Sequence, residues 1–363
     1  MRDLGRRGPP SDLVWIQTGF IGDVVLTTAA VELARRAFPA TRQHVVTTPV
    51  GARVLAGAEG LASRLVFDKG AQGSYAAFRA VKKQLVAALG TDGGYVVLLQ
   101  THRSPRSSLL CRYLGFETVT YKETPLGYLA ARRVARVATL HEAARIALLL
   151  EPLGVARTDI VDARPRLTAL PLGEEGWQQR LRAFKGRVVA VAPGSVWGTK
   201  RWTPDGFAEL TRRLLADDTT LVVFLGSDGE KSLTQEIAAK VGRTERLVDL
   251  AGQTTLDDLR RIFPRLALLV ANDSSPIHYA SAFDVPTVAL FGATVPGMGF
   301  APLARGSRTL GVDLGCRPCS DHGPQVCPLG HFRCMRDLDV GIVEQVCREV
   351  LSTAEDDGRQ RSK

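Results

Sequence analysis

The sequence predicts an α/β chain built from two doubly wound parallel-sheet domains, and three observations predict it. Its 363 residues exceed what one ordinary hydrophobic core organises and suit a pair of domains. Continuous apolar stretches recur in both halves and alternate with segments of helical periodicity, as expected of strands covered on both faces. In each half a turn rich in Gly or Ser follows an apolar stretch and opens a helix, where open parallel sheets present ligands.

The elements follow in order. Residues 12–17 (DLVWIQ) read as a strand and 18–22 as a turn. Residues 23–38 read as a helix with apolar Val24, Val25, Leu26, Val31, Leu33 and Ala34, stopped by Pro39. Residues 44–48 and 95–100 (YVVLLQ) are strands. The second half repeats the scheme: strand 187–192 (RVVAVA), helix 204–215, strand 220–225 and helix 256–263, then strand 266–271, helix 275–283 and strand 287–291. The segment 167–175, near Pro165 and Pro171, reads as the linker. The expected domains are therefore 1–168 and 176–340, facing across a cleft. A last amphipathic helix, 341–351, would cover a sheet face and lead into a polar tail ending at residue 363.

The excess of positive charge is confined to one half. Residues 1–170 hold 23 Lys and Arg against 13 Asp and Glu, whereas residues 171–363 hold 24 of each. Such asymmetry points to a polyanionic partner, whether an acidic membrane surface or a phosphorylated acceptor; solubility from an Arg-rich composition is the alternative. No nucleic acid is expected, because no recognised binding motif accompanies the charge. No apolar run approaches the ~20 residues of a membrane-spanning helix, and residues 1–10 lack the apolar core of a secretory signal. The expected location is cytoplasmic.

Five segments carry candidate chemistry. In 19–28 (GFIGDVVLTT), Asp23 is a carboxylate at the start of a helix, either facing a ligand or capping the helix. In 192–204 (APGSVWGTKRWTP), Ser195 and Thr199 lie on a loop whose Lys200 and Arg201 would meet a leaving diphosphate; a solvated basic turn with a buried Trp197 or Trp202 is the alternative. In 270–282 (VANDSSPIHYASA), Asp273, Ser274 and Ser275 open a helix, with His278 one turn after Ser274, as in a phosphate-binding helix N-terminus; a simple Asp/Ser cap with a packed histidine is the alternative. In 225–230 (LGSDGE), Asp228 or Glu230 could hold ribose hydroxyls. Last, Cys316, Cys319, Cys327 and Cys334 supply the ligand count of a closed four-thiolate site, suited to a structural zinc or iron ion outside the chemistry, with His322 or His331 able to replace one cysteine; four reduced thiols packed in a loop are the alternative. Cys111 and Cys347 read as ordinary buried residues.

Taken in this order, these segments resemble glycosyltransferase family 9, the heptosyltransferases, of GT-B architecture with two Rossmann-like domains. The resemblance runs from the GDVVLTT segment to CPLGHFRCM and is closest to the heptosyltransferase II type. It implies inverting transfer of a heptose from ADP-heptose to the inner core of lipopolysaccharide, without a catalytic metal, at an anionic inner-membrane surface. It implies Asp23 as the general base, Lys200 as the cation on the donor diphosphate, and Asp273, Ser274 and His278 as donor-binding. Glu230 would bind the ribose. Ser275 stands where the family motif carries Gly, which would cost backbone freedom beside a phosphate, and Thr203 is inserted before Pro204. The alternatives are a related transferase using another nucleotide sugar or a protein acceptor, and a non-catalytic nucleotide-binding protein. Asp23, Lys200 and His278 together argue against the last.

Overall fold

The computed structural model describes residues 8–68, 70, 73–89 and 94–356. The chain divides into two compact units, Met1–Thr168 and Ala169–Lys363.

The first unit contains, in order, β1 (Asp12–Gln17), α1 (Ile21–Ala37), β2 (Arg42–Thr47), α2 (Pro49–Val54), β3 (Ser63–Val66), α3 (Gly73–Leu89), β4 (Val96–Gln100), α4 (Pro105–Leu114), β5 (Glu117–Tyr121), β6 (Arg132–Val134), α5 (Glu142–Ala147) and α6 (Arg157–Val161). Its strands are all parallel, in the order β3-β2-β1-β4-β5-β6. β1 lies at the centre and is buried throughout because both of its faces are covered. Val14 and Ile16 pack with Phe78, Val81 and Leu85 of α3 and Leu110 of α4. Trp15 points the other way, as strand alternation requires. Its indole donates to Gln43 Oε1 at 2.9 Å, and Gln43 donates in turn to the Val31 carbonyl of α1. At the opposite strand ends, buried His44 bridges Asp12 and Ser63, joining β1, β2 and β3.

The second unit contains α7 (Gly176–Ala183), β7 (Arg187–Ala192), α8 (Pro204–Leu215), β8 (Thr220–Phe224), α9 (Lys231–Val241), β9 (Leu247–Asp249), α10 (Leu256–Ile262), β10 (Leu268–Asn272), α11 (Pro276–Ala282), β11 (Thr287–Leu290), β12 (Arg308–Leu310), α12 (Arg333–Arg336) and α13 (Val340–Asp356). Its parallel order, β12-β11-β10-β7-β8-β9, repeats the first sheet's topology strand for strand. Both are doubly wound α/β sheets, with strand order reversing between β1 and β4 and between β7 and β10. Val343, Cys347, Val350 and Leu351 of α13 complete the core under β10 and β11. Cys111 and Cys347 are buried, and burial pushes each thiol up to about 12.

Several boundaries differ from the sequence expectation. The first helix begins at Ile21, so Asp23 is its third residue and Phe20 is the N-cap. The strand expected at 266–271 lies at Leu268–Asn272, because the Leu266 N–H closes a turn onto Phe263. Helix α11 starts at Pro276, whose fixed φ suits the first helical position. α13 extends to Asp356, five residues past the expected end, and the tail beyond it lies outside the described residues.

Candidate active site

Both sheets present their candidate residues at the carboxyl ends of the strands that flank the order reversal. In the first unit that place is the turn from β1 into α1. Gly19 gives room there: a Cβ on it would lie 2.9 Å from Gln17 Oε1 and 3.0 Å from Asp23 Oδ2, and both side chains would have to shift. The Phe20 N–H at the N-cap favours the charged form of the Asp23 carboxyl, which stands at the third helical position. Asp23 is thus not the N-cap. Its carboxyl is pushed up to about 6, chiefly by burial and then by the nearby negative charge of Glu142. Glu142 is held by Arg136 and by Arg145 Nη1 at 3.0 Å, so a partly buried ion-pair group lies near the carboxyl. Nothing in the local sequence around Arg136 and Glu142 marks them as neighbours of Asp23.

In the second unit the loops after β7 and β10 meet because their strands are adjacent. Lys200 Nζ donates to Asp273 Oδ2 at 2.6 Å, and Thr294 Oγ1, from the loop after β11, donates to the same oxygen at 2.6 Å. The neighbouring Asn272 locks these loops together: it accepts from the Trp202 N–H at 2.9 Å and donates to the Pro193 carbonyl at 2.7 Å. Asn272 and Thr294 escape the sequence reading, although Asn272 sits directly before Asp273 at a strand end. Ser195 is buried, and its hydroxyl accepts from the Trp197 N–H. Trp202 is core, as one alternative held, and Thr203 caps α8 by accepting from the Gly206 N–H.

Glu230 reaches the same strand end from beyond β8. Its Oε2 accepts from the Ser227 N–H and hydroxyl, forming a capping box. Its Oε1 lies over Gly194, occupying space that a Cβ there would invade at 1.8 Å. Asp228, by contrast, pairs outward with Lys231. Ser274 donates to the Asn272 carbonyl, and His278, buried within α11, has its ring centroid 6.1 Å from that of Phe300. Ser275 corrects an expectation. Its φ of −54° and ψ of −30° are ordinary helical values, so no glycine is needed for the backbone to turn here.

The Thr199 hydroxyl is engaged with the Pro324 carbonyl, part of a seam between the Lys200 loop and the cysteine loop. Gly198 donates to Gln325 Oε1 at 3.1 Å, and Gln325 Nε2 donates to the Val196 carbonyl at 3.0 Å. Trp197 stacks on His322 with planes 7° apart. Burial and the sulfurs of Cys316 and Cys327 hold the Cys319 thiol up; burial and the other three sulfurs do the same to Cys334. The four sulfurs are therefore electrostatic neighbours. Among the described residues, no three His, Cys, Asp or Glu side chains close on a common point at metal-ligand range.

The family model for glycosyltransferase family 9 (heptosyltransferase) matches residues 88–328, taking in Ser195 through Cys327. The lipooligosaccharide heptosyltransferase 2 of Campylobacter jejuni is 26% identical over 170 residues, 46% of this chain and 52% of that protein. The match thus spans about half the length of that relative. A glycosyl transferase family 9 structure from Veillonella parvula aligns with a TM-score of 0.80 at 20% identity, covering 94% of this chain and 98% of that one. The Escherichia coli ADP-heptose heptosyltransferase II structure aligns at 0.74 and 20% identity, covering 95% and 99%. These likenesses give the fold as GT-B. The chain belongs to glycosyltransferase family 9, the heptosyltransferase family.

Proposed function

We propose that this chain is a glycosyltransferase that moves a heptose from ADP-heptose to the inner core of lipopolysaccharide, with inversion at the anomeric carbon. The observation that carries the reading is the Asp23 carboxyl, held at a sheet's order reversal with its proton affinity raised to about 6. A carboxylate of that basicity is ionised near neutral pH yet takes a proton more readily than an ordinary one, which suits a general base. In the proposed step the acceptor hydroxyl gives its proton to Asp23 as its oxygen bonds to the anomeric carbon. The bond to the ADP oxygen breaks, and ADP leaves with the electron pair.

Lys200 meets the departing diphosphate, with Asp273 and Thr294 fixing the ammonium's position. Glu230 Oε1 and the residues Ser195, Ser274, Ser275 and His278 form the donor-binding surface. Thr199 contributes by anchoring the loop.

We assign no metal to the chemistry. The four cysteines suit a structural zinc or iron ion in ligand type and number. The loop would have to draw its sulfurs inward to close such a site. The basic first unit supports work on a phosphorylated, lipid-borne acceptor at the cytoplasmic face of the inner membrane.

The test is a transfer assay with ADP-heptose and a heptose-free inner-core acceptor, paired with calorimetric titration of ADP, ADP-heptose, UDP-glucose and GDP-mannose. Selective binding of the two adenosine ligands, with transfer abolished in Asp23→Ala, is expected. Preference for a uridine or guanosine sugar would overturn the donor, and full transfer by Asp23→Ala would overturn the mechanism.

A further inference from the structure

Helices α3 and α4 lie side by side on one face of the first sheet. Together they carry five cations, Arg79, Lys82, Lys83, Arg106 and Arg112, all exposed, and no Asp or Glu. Elsewhere most helix cations of this chain are neutralised locally. Glu32 pairs with Arg35 and Arg36, Glu209 with Arg212 and Arg213, Glu236 and Asp205 with Lys240, and Glu344 with Arg348. None of the five cations forms an ion pair with a described residue. They account for half of the first unit's excess charge and leave it facing solvent.

Exposed apolar side chains interleave with these cations. Tyr75, Leu109 and Tyr128 are 68%, 48% and 70% exposed, and Leu129 is exposed beside them. The surface is continuous. The Tyr75 ring meets Tyr113 edge-on at 6.2 Å, and Lys82 Nζ lies 5.2 Å from the Tyr113 centroid. Leu109 and Arg112 are three residues apart on α4 and so share a face. Arg112 and Leu129 wall one small cavity, where Ser108 Oγ donates to the Pro125 carbonyl at 2.6 Å and ties the turn bearing Tyr128 to α4.

We propose that this α3–α4 face docks the chain on an anionic phospholipid bilayer. The cations meet headgroup phosphates, and Tyr128, Leu109 and Leu129 enter the interface. Cations surrounding protruding Tyr and Leu match what a charged, half-apolar bilayer surface rewards. A nucleic acid would use the charge but gain nothing from the two leucines, because bases stack on aromatic rings. The inference rests on the reading above that the acceptor is lipid-borne, and it names the surface that brings the enzyme there.

The test is co-sedimentation of the full chain with vesicles of phosphatidylglycerol and phosphatidylethanolamine, against vesicles of phosphatidylcholine alone. Wild type should pellet with the anionic vesicles only, less so as salt rises. The triple variant Lys82→Glu, Lys83→Glu, Arg112→Glu should bind at least about tenfold more weakly, because each cation near the surface adds to the attraction. The pair Tyr128→Ser, Leu129→Ser should also weaken binding while keeping the salt dependence. All five positions lie outside the proposed donor site, so ADP affinity should stay at the wild-type value and report an intact fold. Variants that pellet like wild type, wild type that binds phosphatidylcholine equally or pellets with neither vesicle, or stronger binding to duplex DNA than to vesicles would each overturn the proposal. Anionic-vesicle binding that responds to the variants, in a protein that transfers no heptose, would instead defeat only the assigned reaction.

Discussion

Lys200 Nζ and Asp273 Oδ2 stand 2.6 Å apart, although 73 residues separate them in the chain. Both side chains are nearly buried, at 12% and 8% exposure, so each depends on the other for solvation. Removing one charge of such a pair leaves the other stranded. Asp273→Ala should lower stability by about 3 kcal/mol, read by denaturant unfolding. Lys200→Met should lower kcat by about 10²–10³-fold if the ammonium meets charge that develops as ADP leaves. A Lys200→Met enzyme with wild-type kcat would remove the lysine from the reaction.

Asp23 should set the acidic limb of the pH profile. With its carboxyl near 6, kcat/KM is expected to rise as pH passes through about 6 and then level off. The same residue weakens the fold. Because its pKa is raised from 3.8, the folded state binds the proton more tightly than the unfolded chain. Stability from this group is therefore present at low pH and is lost as pH rises from about 4 through 6. Above that window the cost is at most about 3 kcal/mol. Asp23→Asn should abolish transfer and yet raise the melting temperature at pH 7.5. A variant that is both inactive and less stable would contradict the assigned burial.

Glu230 and Gly194 give a steric test of the donor site. Gly194→Ala places a methyl 1.8 Å from Glu230 Oε1, so the carboxylate must leave its position over β7. ADP affinity should fall at least about tenfold, the scale of one lost charge-assisted hydrogen bond. Gly229→Ala, whose Cβ would meet nothing within 4 Å, is the matched control and should bind ADP normally. Equal affinities in the two variants would remove Glu230 from the site.

How much of this can be read in the sequence depends on burial. The strands Asp12–Gln17 and Arg187–Ala192 are legible because both faces are covered and the apolar run is unbroken. Helix Pro204–Leu215 is legible because Thr203 caps it and Pro204 occupies its first turn. Strands β6 (RRV) and β12 (RTL) are not, since edge strands are half solvated and carry arginine. The site divides in the same way. Asp23, Lys200 and Asp273 stand at strand ends and can be found from the sequence. Thr294, Glu142 and Arg136 reach them only through sheet order and packing, which no local pattern records.

The cysteine loop should affect donor binding without entering the reaction. Gln325 and Pro324 hold Gly198 and Thr199, immediately before Lys200, and Arg317 Nη2 donates to the Phe291 and Thr294 carbonyls at 2.7 and 2.9 Å. If four thiolates close on a structural ion, elemental analysis should find about one zinc or iron per chain, and Cys316→Ser with Cys319→Ser should lose it. The loop would then slacken at its far end while its seam with the Lys200 loop loosens. Melting temperature should drop by several degrees and ADP should bind more weakly, whereas kcat at saturating donor should stay within about twofold of wild type. Gln325→Ala, which leaves every sulfur in place, should reproduce the weaker ADP binding at full metal content. Loss of turnover in step with metal, at unchanged ADP affinity, would place the ion in the chemistry and withdraw the structural assignment.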